Sequence, residues 1–401
     1  MSNLPCEILD RIVDLLHDNH VSLRNCCLVS KSWIARTRTH LFAEVVFQTA
    51  KGLESWKKKF LDPSTSPAHY TKALFIGGPT VVTTVDVEAG SWIRGFSRVV
   101  CLGMVGQYPP SYGWGAAFAQ FHGLLPSVKS LRMKNIAFPP SQLSSLILSF
   151  PLLENLSVVD SYRVPADKGL YINGVSTAIQ PSSLPTFTGS LELLVVGIGC
   201  ITNRWIFLPG GIRFRKLTLM WFCDEDISST AALVEKCSHT LESLDITRDS
   251  SCGTFIRHLH LHRSNLLLFP ADPKSASFSL SKATKLGDVI FRPGSLAVEW
   301  ISRALQAITS EHRDLRRISV DVPHYSTLLQ VGEDLRGGIG EGVLGQWLNL
   351  DHILVHLWES FSIRTDVIWA KWSWKGTVGD HVGSLLPEMT KRGMVTINLV
   401  K

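Results

Sequence analysis

The sequence predicts an α/β protein: three short N-terminal helices, then an irregular solenoid built as a curved parallel sheet with outer helices. Two patterns carry that expectation. Apolar residues in the first forty positions recur at helical spacing, and after Phe47 short segments recur with apolar residues at positions one, four and six. A third observation is compositional. With 401 residues, 45% hydrophobic and 18% charged, the chain is long and apolar enough for a sizeable core in one or two domains.

The helices come first. Ile8, Ile12, Leu15 and Leu16 fall at i, i+4, i+7 and i+8, one face of a helix. Pro5 suits the first turn, where a backbone N–H has no partner to lose, and Glu7 sits favourably at the positive helix end. A second helix from about Leu23, with Ser22 as its cap, carries Cys26 and Cys27 inward and runs into Leu28-Val29-Ser30-Lys31-Ser32-Trp33. A third short helix completes the module. So small a module cannot bury much surface alone, since domains below ~40 residues usually need outside help. It reads as one half of an interface.

In these residues the chain resembles an F-box. Leu4-Pro5-x-Glu7-Ile8 opens the family's signature and Leu28-Val29-Ser30-Lys31-x-Trp33 closes it, over roughly residues 1–47. Many members carry an acidic residue before the second helix, where this chain has Asn19-His20-Val21-Ser22. F-box proteins are the substrate-recognition subunits of SCF-type cullin ubiquitin ligases, and the box docks on a Skp-family adaptor and through it on cullin. The resemblance implies that Leu4, Pro5, Ile8, Val29, Ser30 and Trp33 lie at or beside the adaptor surface. It implies also that Ile12, Leu16 and Leu28 hold the helices together. The full chain is similar to the large F-box families of mushroom-forming fungi, with degenerate leucine-rich repeats behind the box.

The repeated segments of the body are Val128-x2-Leu131-x-Met133, Leu153-x2-Leu156-x-Val158, Leu191-x2-Leu194-x-Val196 and Phe214-x2-Leu217-x-Leu219. Leu241-x2-Leu244-x-Ile246, Leu286-x2-Val289-x-Phe291, Leu315-x2-Ile318-x-Val320 and Leu350-x2-Ile353-x-Val355 continue the series. Weaker copies start at Thr71 and Phe96. Helix-like stretches lie at Gln142–Phe150, Ile227–Cys237, Leu296–Ile308 and Leu385–Arg392. A strand followed by a helix at such spacing is a leucine-rich-repeat-like unit, which buries its apolar face only by stacking on neighbours. The intervals are uneven, and the Asn or Cys expected after each strand is missing. Residues 161–190 and 197–213, rich in Gly, Pro and Ser, are expected to be interrupting loops. The expected division is therefore 1–47 for the helical module, 48–124 for a linker with irregular repeats, and 125–401 for a leucine-rich-repeat-like substrate-binding domain.

Strand alternation turns positions four and six to the core and three, five and seven to the open face. That register nominates Arg132, Lys134, Lys216, Asp245, Arg317, Asp321, His352 and His356 as target-binding residues. Mixed charge and scattered apolar residues on this ladder suit a protein partner better than a small-molecule pocket.

Composition narrows the rest. A net charge of +6 is modest, and Lys57-Lys58-Lys59 reads as a solvated helix end, so no nucleic-acid partner is expected. The eight cysteines form no C-x2-C pair, and they are expected as buried free thiols with no metal and no cofactor. Glu7, Asp10 and Asp14 argue against a signal peptide, and apolar runs of about nine residues are too short to span a bilayer, which needs ~20. A cytoplasmic or nuclear location with no membrane partner is expected, so the sequon at Asn155 would stay unglycosylated.

Four motifs are set aside. His312-Arg313-Asp314-Leu315 copies the start of a kinase catalytic loop, but the metal-binding Asn five residues on is Ser319, and no Asp-Phe-Gly follows. Gly337–Gly342 has neither dinucleotide nor P-loop spacing. His258, His260 and His262 share one strand face without a further ligand. Trp347, Trp358, Trp369, Trp372 and Trp374 crowd the C-terminal stretch, as an aromatic cap on the last repeat or as a partner hot spot. No catalytic residue is expected. The alternatives are an F-box scaffold outside ubiquitin transfer, or an enzyme using the histidines or the glycine loop.

Overall fold

The computed structural model describes residues 5–62, 65–77, 91–106, 124–138, 143, 146–163, 187–195, 212–221, 225–248, 279–293, 298–322, 341–371 and 385–399. Two units divide the chain, Met1–Thr186 and Phe187–Lys401.

The first unit opens with α1 (Cys6–Leu15), α2 (His20–Val29) and α3 (Lys31–Leu41). Pro5 is the N-cap of α1. The Asn19 side chain caps α2 by accepting the Ser22 N–H at 3.0 Å, so Ser22 is a helical residue and not the expected cap. Ser30 caps α3 through the Ser32 N–H at 3.3 Å. The buried positions of the three helices are Val13, Leu23, Cys26 and Thr37. Ile12 and Leu28 are exposed and Leu16 is half-buried, so these three do not form the interior as expected. The reason is geometric. Helix α1 carries two apolar stripes, Ile8-Ile12-Leu15 and Leu9-Val13-Leu16, offset by one residue or ~100°. Packing against α3 selects the second.

The sheet of this unit contains β1 (Glu44–Phe47), β2 (Ala73–Gly77), β3 (Cys101–Val105), β4 (Ser130–Lys134), β5 (Ala137–Phe138) and β6 (Asn155–Arg163). Strands pair in parallel in the order β1-β2-β3-β4-β6, and β5 pairs beside β6. Between β1 and β2 lie α4 (Ala50–Lys59) and a 3-10 turn (Pro67–Tyr70), and α5 (Ser91–Arg94) precedes β3. Alternation is as expected: Leu74 and Ile76, Leu102 and Met104, Leu131 and Met133 are buried. At ~1.5–3 kcal/mol per fully buried apolar side chain, this ladder dominates the unit's stability. The copy expected to start at Phe96 is displaced: β3 begins at Cys101, and the register is Val99-x2-Leu102-x-Met104. Phe96 belongs instead to an aromatic cluster with Phe47, Trp56 and Trp92, in which Trp56 stacks on Phe96 at 5.7 Å. Lys57–Lys59 end α4, with Lys57 bound to Glu54 at 2.7 Å and Lys58 and Lys59 exposed, a solvated helix end.

The second unit runs β7 (Ser190–Val195), β8 (Lys216–Trp221), α6 (Glu225–Cys237), β9 (Ser243–Arg248), β10 (Asp288–Arg292), α7 (Glu299–Gln306), β11 (Arg317–Val322), α8 (Glu341–Phe361), β12 (Arg364–Lys371), α9 (Pro387–Lys391) and β13 (Val395–Leu399). Its strands also pair in parallel in chain order, each next to its predecessor, as solenoid-like stacking requires. In β7 the expected register is three residues late: Leu191 aligns with Leu217 and Leu193 with Leu219, so Leu191 holds position four.

One expected strand is a helix. Leu350-x2-Ile353-x-Val355 lies inside α8, whose buried residues Trp347, Leu350, Leu354 and Leu357 repeat at intervals of three and four. The strand of that repeat is β12, where Thr365 occupies position four and Val367 position six. A buried threonine, its hydroxyl 3.9 Å from the Met394 sulfur, hid it from an apolar pattern search. Helix α8 also caps its neighbours. The Gln346 side-chain oxygen accepts the Val298 and Glu299 N–H groups at the start of α7, at 3.1 and 3.3 Å. The buried Asp351 carboxylate accepts those of Glu388 and Met389 at the start of α9, at 2.9 and 3.0 Å.

Cysteines are mixed in exposure. Cys26 and Cys237 are buried, Cys27 and Cys101 are half-buried, and Cys6 is exposed, contrary to expectation. Burial pushes the Cys237 thiol up to about 12, so it stays protonated and unreactive. Cys200, Cys223 and Cys252 lie outside the described residues, as do nearly all of the expected loops at 161–190 and 197–213. Among the described residues, no helix is long and apolar enough to cross a membrane.

Candidate functional site

Two surfaces carry the residues singled out by sequence: the outer face of α1–α2, and the open faces of the sheets.

On the first, apolar side chains stand in solvent where a folded module would ordinarily hide them. Ile8 is 44% exposed, Val29 68% and Leu28 85%, and Ile12, Leu15 and Val21 are exposed as well. Pro5 is exposed, Ser30 and Trp33 are half-buried, and Leu4 lies outside the described residues. Ser30 is engaged as a cap, and the Thr37 hydroxyl donates to the Trp33 carbonyl at 2.6 Å. Ile8 and Val29, which the resemblance nominates for an adaptor surface, stand in solvent. Leu15, Val21 and Leu28, which it does not nominate, stand there too, and on α1 apolar spacing alone does not say which of two stripes faces inward.

An ionic tie keeps α1 against α3 while that face stays open. Arg36 grips both oxygens of Asp14, from Nε at 2.6 Å and from Nη2 at 2.5 Å, and His40 Nε2 lies 2.8 Å from Oδ1. The hydrogen bonds from Arg36 and then His40 hold the Asp14 carboxyl down to about 2. A depressed carboxylate stabilises the fold above its unfolded value near ~4 and loses that contribution as pH falls through about 2. Asp14 is more than a third exposed, so water screens the tie to ~1 kcal/mol or less. We expect a carbon-detected titration of Asp14 to give a midpoint near 2 in this protein, and a higher one in Arg36→Ala, where His40 alone still lowers it. Identical midpoints in the two proteins would disprove the tie.

On the sheets, Arg132, Lys134 and Lys216 are exposed on open faces as the register requires, and Arg317 is half-buried there. Asp245 and Asp321 are engaged within the sheet. Arg292 of β10 bonds Asp245 of β9 and lies 3.5 Å from Asp321 of β11, whose carboxylate also accepts the Ser319 hydroxyl at 2.5 Å. Arg292 occupies position seven of its own segment and so shares the open face with both acids. His352 and His356 are corrected outright. They are exposed on α8, not on a strand, and the His356 ring accepts or donates a 3.0 Å hydrogen bond with Ser360 one turn on.

The motifs set aside gain structural roles or fall out of view. His312 is buried. Its Nδ1 accepts the Thr309 N–H at 3.1 Å, which leaves Nε2 to donate to the Leu280 carbonyl at 3.0 Å, a tether between the segments before β10 and β11. Trp347 is fully buried in α8, and the Arg392 guanidinium covers Trp358 at 5.3 Å. His258, His260, His262, Gly337–Gly340, Trp372 and Trp374 lie outside the described residues. Among the described residues, no group of three His, Cys, Asp or Glu is placed to hold a metal ion.

No protein-family model matches this chain, and no curated protein matches it.

Proposed function

We propose that this protein is the non-catalytic target-recognition subunit of an SCF-type cullin ubiquitin ligase. The N-terminal helices bind a Skp-family adaptor, which connects to cullin, and the repeat body holds a target protein near the ubiquitin-conjugating enzyme. One observation carries this reading beyond the sequence motif: the trio leaves Ile8, Ile12, Leu15, Val21, Leu28 and Val29 uncovered. At ~25 cal/mol per Å² of apolar surface, covering such a face is a strong driving force for association. The output is proximity. A tethered target meets the conjugating enzyme at a high effective concentration, so this chain needs no nucleophile or acid–base pair of its own.

Co-expression of the full chain with a Skp-family adaptor tests the assignment. A stable 1:1 complex that recruits cullin is expected. A chain that elutes without the adaptor at micromolar concentration, while folded by circular dichroism, overturns it.

A further inference from the structure

The open face of the first unit brings together residues that no sequence motif joined. Register aligns Val46, Phe75, Gly103, Arg132 and Ser157 side by side across β1, β2, β3, β4 and β6. Gly103 matters for its missing side chain. A Cβ there would collide with Phe75 Cδ1 and Cε1, so the Phe75 ring reaches over the glycine into the space it leaves open. Val46, 47% exposed, borders this shelf in the same row, and Val105, 40% exposed, lies two residues along β3 from Gly103. On β4 the shelf meets Arg132 and Lys134, both exposed, and Arg132 forms no ion pair with any described residue.

We propose that this shelf binds an acidic, apolar-anchored peptide segment of the target protein, a deepening that rests on the reading of the body as target-binding. The spacing sets the motif. Phe75 and Arg132 are two strands apart, ~10 Å at ~4.8 Å per strand, and an extended peptide advances ~3.3 Å per residue. A segment crossing the strands therefore places a carboxylate about three residues from its apolar anchor. The anchor packs on Phe75 and Val46, and the carboxylate pairs with the Arg132 guanidinium, which is suited to bidentate recognition. The charges favour a peptide over nucleic acid. Two exposed cations on β4, with Glu44 exposed on the same face, are too few to track a phosphate backbone.

Selection of a random twelve-residue peptide library on the full-length protein tests this directly. The expected winners carry Asp or Glu three residues from a large apolar residue. Arg132→Glu should weaken a winning peptide at least tenfold and restore binding when its acid is changed to lysine. Val46→Asp should weaken it through the anchor. Both positions are exposed, so the variants should keep the wild-type thermal midpoint. Winners without acid enrichment, an unchanged set on Arg132→Glu, or preferential capture of a labelled single-stranded RNA would each overturn the proposal. Adaptor retention is measured on the same preparations. Its loss with peptide selection intact strikes the adaptor assignment alone, and its retention without acid enrichment strikes the peptide proposal alone.

Discussion

Ile8→Asp combined with Val29→Asp is expected to abolish capture of a Skp-family adaptor while leaving the protein's unfolding curve in place. Both side chains stand in solvent on α1 and α2, so neither supports the interior formed by Val13, Leu23, Cys26 and Thr37. Substitutions at such positions usually change stability by no more than ~0.5 kcal/mol. Across an interface the same residues behave differently. A central apolar anchor contributes ~2–4 kcal/mol, and an aspartate adds the desolvation of a charge, so a loss of about 30- to 1000-fold is expected per position. Trp33 is the poorer probe despite its place in the motif. It is half-buried in the first turn of α3, and truncating it would blur binding with folding. Surface-immobilised adaptor read at several concentrations separates the two. Full-strength binding by the double aspartate variant would remove the α1–α2 face from the interface.

The second large effect belongs to stability. Asp351→Ala is expected to destabilise the second unit by about 2–5 kcal/mol, because it strips a charged acceptor from two backbone donors, one of them buried. Helix α9 cannot replace that acceptor from its own sequence. Its N-cap is Leu386, which has no side-chain oxygen, and Pro387 follows. Asp351→Asn keeps the shape and one good acceptor, so its loss should fall between wild type and alanine. Gln346→Ala, which uncaps α7 at a half-buried position, should cost about 1 kcal/mol. Urea unfolding of the full chain ranks the three. A loss below ~0.5 kcal/mol for Asp351→Ala would mean that water or a rearranged turn satisfies those groups.

Both effects depend on features of uneven visibility in the sequence. The strands β4, β8, β9, β10 and β11 follow from local periodicity, since each buries its alternate apolar residues, and α6 and α7 follow from apolar residues at helical spacing. Registers in β3 and β7 slipped by three, because apolar residues at positions one and four pass for each other when their neighbours are apolar too: Val99 holds position one but passes for four, and Leu191 holds position four but passes for one. Strand β12 escaped because a core position there is Thr365, and α8 was misread because Leu350, Ile353 and Val355 satisfy a strand template while lying on a helix. The nominated charges fared unequally for a related reason. Register tells which face Asp245 and Asp321 occupy, but not that Arg292 lies between their strands and takes both.

By itself the sequence determined the recurrence of strand and helix, the three-helix start and, in β4, β6, β8, β9, β10 and β11, the face of the sheet on which each residue stands. Those are consequences of backbone period and side-chain polarity, which act over a few residues. The tertiary structure alone decided which apolar stripe of α1 turns inward, that a carboxylate on α8 would cap a distant helix, and that Phe75 would lie over Gly103. Each of these depends on what a side chain meets across space, where a single residue's shift rotates a helix face by ~100° and reverses a strand face.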